Sequence, residues 1–315
     1  MISSSYRIIF VIPVFEDKIS CLQILKDIFD QFGKQVFVVL VDDGSVINPM
    51  RAEDISGAGG DGIVISLVRN VGHQTAIAAG LSYVATRMSD SQKVVIMDSD
   101  GEDLPETIPI LMDKLVENVD AVVAVRGSRK VSLNFKIFYG FYKLIFKLMT
   151  GRKISFGNFM VLTRSAVQRL VSMRELGVHL AGSLISSRLR VEKCRIDRGQ
   201  RYFGKSKMNF FSLALHGFKA LMIFAEDVLV RTGVFCAVLS VVSVAGIICA
   251  IVLKAVGFAT PGWFSVALGI LVLILLQTGV LALITLLMTG LLRSNTVTGP
   301  GYYADLIRTE SPTAI

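Results

Sequence analysis

From Thr232 to Leu253 the chain carries no charged residue, and after Lys254 none returns until Arg293. Each of these apolar runs is long enough to cross a hydrocarbon core of about 30 Å as a helix. A helix is also the form that satisfies every backbone polar group within the run. Pro261-Gly262-Trp263 marks a turn before the second crossing. Two membrane helices are therefore expected over 230–254 and 263–292, after a longer part of mixed, soluble-type composition. The hydrophobic share of 52% in 315 residues reflects that division.

Basic residues flank the runs. Lys205, Lys207, Lys219 and Arg231 precede them and Arg293 follows, while the connecting loop offers only Lys254. Positive charge stays on the cytoplasmic side. The expectation is a multi-pass protein of the inner (cytoplasmic) membrane, with the soluble domain and both termini cytoplasmic. Tyr6-Arg7 leads directly into a strand-like run with no signal-peptide cleavage pattern. Cys21, Cys194, Cys236 and Cys249 show no metal-ligand spacing and read as reduced. The net charge of +8 is read as attraction to anionic headgroups and phosphorylated substrates, with no nucleic-acid partner.

The first part alternates strand-like and helical patterns. Arg7–Val14, Val36–Val41, Ile63–Val68, Val94–Met97 and Ala121–Val125 read as buried strands, and Ile19–Phe32 and Ala76–Met88 as helices. That alternation implies an α/β domain with a mostly parallel sheet. Gly57–Gly62 lacks the Lys-Ser/Thr of a phosphate-binding loop and reads as a turn, and no G-x-G-x-x-G follows the first strand, which disfavours a nicotinamide or flavin site.

Three strand ends carry acids in the same sense: Glu16-Asp17, Asp42-Asp43 and Asp98-Ser99-Asp100, with Glu102 two positions later. In a parallel sheet those ends lie on one edge, where ligands of open α/β folds bind. Crowded carboxylates repel unless a cation neutralises them. A hard divalent ion, Mg²⁺ or Mn²⁺, suits oxygen ligands and bridges them to substrate phosphates.

The segments Val11-Ile12-Pro13-Val14-Phe15-Glu16, Val41-Asp42-Asp43-Gly44-Ser45, Arg69-Asn70-Val71-Gly72 and Asp98-Ser99-Asp100-Gly101-Glu102-Asp103-Leu104-Pro105-Glu106, in this order, resemble glycosyltransferases of the GT-A fold in the second sequence family. Within it the chain is most similar to the polyprenyl-phosphate glycosyltransferases, a group that includes dolichol-phosphate mannose synthases and undecaprenyl-phosphate glucosyltransferases. The resemblance runs over about residues 7 to 292. The expected layout is a Rossmann-like GT-A cytoplasmic domain over 1–208, an interfacial amphipathic helix over 209–229, the two spans, and a cytoplasmic tail over 293–315. The resemblance implies an inverting, metal-dependent transferase that moves a sugar from a nucleotide-sugar donor, UDP-linked by expectation, to a polyprenyl phosphate such as undecaprenyl phosphate. Homo-oligomer formation stays open.

Residue by residue, the resemblance implies that Pro13, Glu16, Asp43 and Ser45 hold the nucleoside, with Asp98 and Ser99 next to it. Asp98, Asp100 and Glu102 would hold the divalent metal against the diphosphate; Glu102 stands where Gln is common. Arg126 and Arg129 match a loop whose arginines meet phosphate. Arg201, Ser206 and Lys207, in Arg198-Gly199-Gln200-Arg201-Tyr202-Phe203-Gly204-Lys205-Ser206-Lys207, match a segment that closes over the acceptor phosphate. Arg126, Arg129, Arg201 and Lys207, together with Asp100, form the expected catalytic set. Arginine forks meet phosphate oxygens bidentately.

One stretch departs from the pattern. Where the group often carries an acid and an arginine, this chain has Ser155 and Met160. An ionised lipid phosphate is itself a nucleophile and needs positioning more than deprotonation. The departure leaves open a different lipid acceptor, or an adaptor that binds nucleotide without turnover. Gln200-Arg201-Tyr202 does not match the Gln-x-x-Arg-Trp of processive synthases. Asn134–Leu148 has the aromatic and basic spacing of a helix at a membrane surface or of an ordinary domain helix, and Phe210–Val228, with Phe211, Leu215, Phe218 and Met222 on one face, is expected to lie in the membrane interface and lead into the first span.

Overall fold

The computed structural model describes residues 1–126, 133–203, 210–258, 260, 262–293 and 300–313. Of the residues singled out above, Arg129, Gly204, Lys205, Ser206, Lys207 and Pro261 lie outside this set, as do the side chains of Arg126, Phe211 and Arg293.

Strand β1 (Ile8–Val14) is apolar and buried at every position. It lies between β2 (Val36–Asp42) and β4 (Lys93–Ile96) and is parallel to both. A strand covered on both faces reads as a continuous apolar run, because neither face meets water. Alternate residues still part to opposite sides. Ile8, Phe10 and Ile12 join Cys21, Ile24, Leu25 and Ile28 of helix α1 (Lys18–Phe32). Ile9 and Val11 join the small residues Ala76, Ala78 and Ala79 of helix α3 (His73–Ala85) on the other side.

The remaining strands are β3 (Asp61–Leu67), β5 (Ala121–Arg126), β6 (Met160–Leu162), β7 (Val191–Ile196) and β8 (Ile307–Pro312). Their order is β7-β5-β6-β4-β1-β2-β3-β8. The five strands read from sequence are present, and β1, β2, β3 and β4 are mutually parallel as expected. Because β2 lies on one side of β1 and β4 on the other, the chain reverses its winding there, and a crevice opens at their carboxyl ends.

The sequence reading missed three strands: β7, which pairs parallel with β5, and two others. β6 is three residues long and antiparallel to both β4 and β5; so short a run gives no readable alternation. Its first residue, Met160, is buried in the sheet between Ile96 and Val123. The second corrects the expected tail over 293–315. β8 pairs antiparallel with β3, Thr313 exchanges hydrogen bonds with Gly62, and Tyr303 is buried. The polar run Arg308-Thr309-Glu310-Ser311 gave no core signal because an edge strand keeps one side in water.

Short helices α2 (Ala52–Gly57), α4 (Ile108–Asp113), α6 (Arg164–Val171) and α7 (Leu180–Ser186) complete this unit, together with α8 (Phe210–Ile223). On α8, Leu215, Phe218 and Met222 are all exposed, an apolar stripe of the kind expected there.

A second compact unit comprises Asn134–Lys153 and Phe224–Thr296. Helix α5 (Leu133–Thr150) groups with it from Asn134 onward. Phe146 of α5 packs edge-on against Phe224 at 5.9 Å, and Arg231 donates to the Leu148 carbonyl. Helices α9 (Ala225–Ala255) and α10 (Trp263–Arg293) form a hairpin. Both are long and apolar enough to cross a membrane.

Candidate functional site

The acid turn begins where β4 ends. The Asp98 N–H donates to Asp103 Oδ2 at 3.0 Å and the Glu102 N–H to Asp100 Oδ1 at 3.0 Å. Short carboxylates that accept from nearby amides favour turns over helix or strand. Asp103, 4% exposed, thus shapes the turn from beneath.

A second segment, far along the chain, lies over this turn. The Gly199 N–H donates to the Glu102 carbonyl at 2.9 Å and the Tyr202 N–H to the Asp100 carbonyl at 3.0 Å. These bonds set the register that brings Arg201 Nη2 to 2.6 Å from Asp100 Oδ2 and pairs Arg198 with Glu102. Gly101 has φ +85, and a Cβ there would lie 2.5 Å from the Tyr202 ring. Only glycine allows the ring so close. The Tyr202 hydroxyl is anchored to Asp27 of α1.

Asp98, Asp100 and Glu102 do lie together at the strand end, as expected, but they do not converge as one metal-ligand set. Among the described residues no three acidic, imidazole or thiol groups are gathered in that way. Asp98 Oδ1 faces His73 Nε2 at 3.1 Å, Asp100 faces Arg201, and Glu102 faces Arg198. The physical reason is charge: three neighbouring carboxylates repel, and each faces a basic side chain, with Arg201 Nε also 3.9 Å from Glu102 Oε1. Burial, reinforced by the Asp98 charge, pushes the Asp100 carboxyl up against the pull of Arg201 and Arg198. Burial also pulls the Arg198 guanidinium down. Asp98 and Asp100 still offer hard oxygen donors of the type Mg²⁺ and Mn²⁺ take, and their mutual repulsion favours a cation. Glu102 fits that role less well, because Arg198 already neutralises it.

On the other side of the crevice the acids hold backbone. Glu16 has φ +47, and its carboxylate accepts from the N–H groups of Val46, Ile47 and Asn48 at 2.6, 3.0 and 3.0 Å. Its own N–H donates to Ser45 Oγ at 2.9 Å. Asp42 accepts from Ser45 and Met50. Asp43 accepts from the Val71 and Gly72 N–H groups at 2.8 and 3.0 Å. These bonds tie together the ends of β1, β2 and β3, with Pro13 buried in β1 opposite Val41. Gly44, at φ +75, has no room for a side chain: a Cβ would lie 2.5 Å from the Arg69 backbone. Burial pushes the Asp43 carboxyl up, against the two amides and His73.

His73 is the first residue of α3, three positions before the expected start. The Leu180 N–H donates to Gln74 Oε1 at 2.6 Å, so Gln74 Nε2 donates to Asn158 Oδ1 at 3.0 Å. That leaves Asn158 Nδ2 facing His73 Nε2 at 2.9 Å. A neutral ring accepts there from Asn158, and a protonated ring serves Asp98 instead. Burial pulls the imidazole down, but the charges of Asp98, Asp43 and Asp100 carry it up overall. Gln74, Asn158, Asp103 and Arg198 were given no roles from sequence. Asn158 sits in the departing stretch 155–160, which was the available signal. Ser155 is exposed.

The sequence profile of glycosyl transferase family 2 matches residues 9–172. Bactoprenol glucosyl transferase of Shigella phage SfV is 27% identical over 249 residues, 74% of this chain and 78% of that protein. Undecaprenyl-phosphate 4-deoxy-4-formamido-L-arabinose transferase of Klebsiella pneumoniae (strain 342) is 28% identical over 213 residues, 64% of this chain and 63% of its own. Glucosyl-3-phosphoglycerate synthase of Mycobacterium tuberculosis, solved with Mn²⁺, UDP-glucose and phosphoglyceric acid, aligns with TM-score 0.50 at 15% identity. That alignment covers 72% of this chain and 79% of that one, and it bears on the fold alone.

Proposed function

Because the chain belongs to glycosyl transferase family 2, we propose that it moves a sugar from a nucleotide donor to a polyprenyl phosphate at the cytoplasmic face of a membrane. The observation that carries this reading is the acid turn at the sheet's winding reversal with Arg198 and Arg201 folded onto it. A nucleoside diphosphate brings negative charge to that crevice, and the two guanidiniums are the groups that meet it. The acceptor class rests on the two relatives named for bactoprenol and undecaprenyl phosphate.

In this reading Pro13, Glu16, Asp43 and Ser45 form the nucleoside end. Glu16 and Asp43 act by fixing the loops 45–48 and 69–72 as well as by offering oxygens to ribose. Asp98, with Ser99 beside it, and Asp100 would hold a divalent metal, Mg²⁺ or Mn²⁺, which when bound offsets charge on the departing diphosphate. Glu102 positions Arg198. Arg126, Arg129, Arg201, Ser206 and Lys207 are assigned to donor and acceptor phosphates by their motif positions. The acceptor phosphate is already anionic, so an exposed Ser155 in place of an acid does not remove the nucleophile.

The two apolar helices support placement in the membrane. Two crossings return the chain to the side it left, and the segments before α9 and after α10 belong to one folded unit. Arg231 and Arg293 flank the hairpin on that side, which argues for the cytoplasm.

The test is transfer in a membrane preparation. Undecaprenyl phosphate is incubated with a panel of labelled nucleotide sugars and Mg²⁺ or Mn²⁺, with and without a chelator. A labelled lipid that disappears on chelation is expected. Absence of lipid-linked label with every donor would overturn the acceptor assignment.

A further inference from the structure

The segment that carries Arg198 and Arg201 is buried against the acid turn at some cost. Its backbone bonds, from the Gly199 and Tyr202 N–H groups, set the register. Gly199 permits the approach, since a Cβ there would lie 2.5 Å from the Gly101 carbonyl oxygen and from the Leu104 side chain. Arg198 Nε and Arg201 Nε are then buried without a hydrogen-bond partner, and Arg201 Nε comes no nearer than 3.9 Å to Glu102 Oε1. A buried donor left unbonded destabilises the arrangement that buries it. Lifting the segment would return both groups to water, so something besides the ion pairs holds it down.

Tyr202 is fastened on its far side. Its ring lies on Gly101 and packs against the core cluster that includes α1. Its hydroxyl donates to Oδ2 of Asp27, 175 positions away in sequence. Asp27 is half-buried near the middle of α1. Gln23, one turn back, donates from Nε2 to Asp27 Oδ1 at 2.8 Å and orients the carboxylate. The helix itself is fixed to the sheet through Ile24, Leu25 and Ile28, all fully buried. A hydrogen bond to an ionised acceptor is roughly twice as strong as one between neutral groups.

We propose that Asp27 and the Tyr202 hydroxyl form a latch that positions Arg201 over the acid turn, so that a carboxylate on the first helix sets the efficiency of sugar transfer without touching substrate. Arg201 directly precedes Tyr202, and a displaced ring carries the guanidinium with it. Asp27 and Tyr202 are thus positioning residues. The proposal rests on the transfer reading above.

The test is a double-mutant cycle in the transfer assay, on the full chain extracted from membranes. Tyr202→Phe keeps the ring on Gly101 and removes only the hydroxyl. It is expected to lower kcat/KM about tenfold, less than the roughly 10²-fold that a 1 Å misplacement can cost. Asp27→Leu should do the same. Asp27→Asn should retain most activity, because a carboxamide oxygen still accepts from the hydroxyl and Gln23 can turn its own amide to match. In an Arg201→Ala background Tyr202→Phe is expected to lose little further, since the group it positions is gone. Equal losses in both backgrounds would show that the hydroxyl serves the fold at large and overturn the proposal, as would full activity in Tyr202→Phe. Amide exchange reads the latch without substrate. The Gly199 and Tyr202 amides should exchange faster in Tyr202→Phe while β1 stays protected. Unchanged exchange at those two amides overturns the latch and leaves the transfer reading intact. A wild type that transfers no sugar from any donor overturns that reading, and with it any part for the latch in catalysis.

Discussion

Arg201 and Asp100 are separated by 101 positions in sequence and meet through a 2.6 Å hydrogen bond between Nη2 and Oδ2. The contact is set by backbone, since the Tyr202 N–H donates to the Asp100 carbonyl at 3.0 Å beside it. The guanidinium is therefore held over the acid turn before any substrate arrives, at the point where a diphosphate would add charge.

Arg201→Ala is expected to lower kcat/KM for sugar transfer by about 10²-fold or more, the usual scale for losing one positioned donor to a developing charge. Arg201→Lys should recover little, because an ammonium cannot reproduce the planar fork. Steady-state kinetics on folded, membrane-extracted protein checks both. Full activity in the lysine variant would show that only a point charge is needed.

Glu102 and Arg198 form a pair whose side chains are 10 and 23% exposed. Removing one partner strands the other, so Arg198→Met or Glu102→Leu alone is expected to cost about 2 kcal/mol, below the roughly 3–5 of a fully enclosed pair because water still reaches the site. The double variant should cost less than the sum of the two. Denaturant unfolding of all four proteins measures the coupling, and strict additivity would refute it.

The segment after α10 is expected to stabilise the sheet. Deleting 300–313 removes β8 from β3 and the buried Tyr303 from the Gly177 N–H, which donates to its hydroxyl at 3.0 Å. Amide exchange along β3 should accelerate and the melting temperature fall. Tyr303→Phe alone removes one hydrogen bond and should cost about 1 kcal/mol. Unchanged exchange in β3 after the deletion would mean that β8 adds nothing.

Arg190 donates twice to Asp120, from Nε and Nη2, at 3.0 and 2.9 Å. The Arg190 hydrogen bonds hold the Asp120 carboxyl below the usual carboxylate range. An acid with a depressed folded-state pKa stabilises the fold above its unfolded pKa of about 3.9 and loses that contribution as pH falls through the folded value. Asp120→Asn should therefore be less stable than wild type near neutrality, with the difference shrinking below about pH 4. A difference that stays constant down to pH 2 would exclude the pair as its cause.

Much of the fold was legible because its signals are local. Continuous apolar runs of strand length gave β1 to β5, and two uncharged runs gave α9 and α10. The acids at the ends of β1, β2 and β4 could be placed on one edge because parallel strands share a direction. Residues 155–160 stand out for their departure from a motif, and the three-residue β6 that begins at Met160 is too short to show an alternation of its own.

The sequence by itself determined that the acids of three strand ends share one edge and which segments are apolar enough to enter a membrane, since both follow from periodicity and composition. It did not determine what each carboxylate would face. Asp98, Asp100 and Glu102 are equivalent in one dimension, whereas in space His73, Arg201 and Arg198 divide them. Glu16 and Asp43 hold loop amides for the same reason. Pairing of charges depends on distances across the fold, and only the tertiary structure brings residues 73, 198 and 201 to the end of β4.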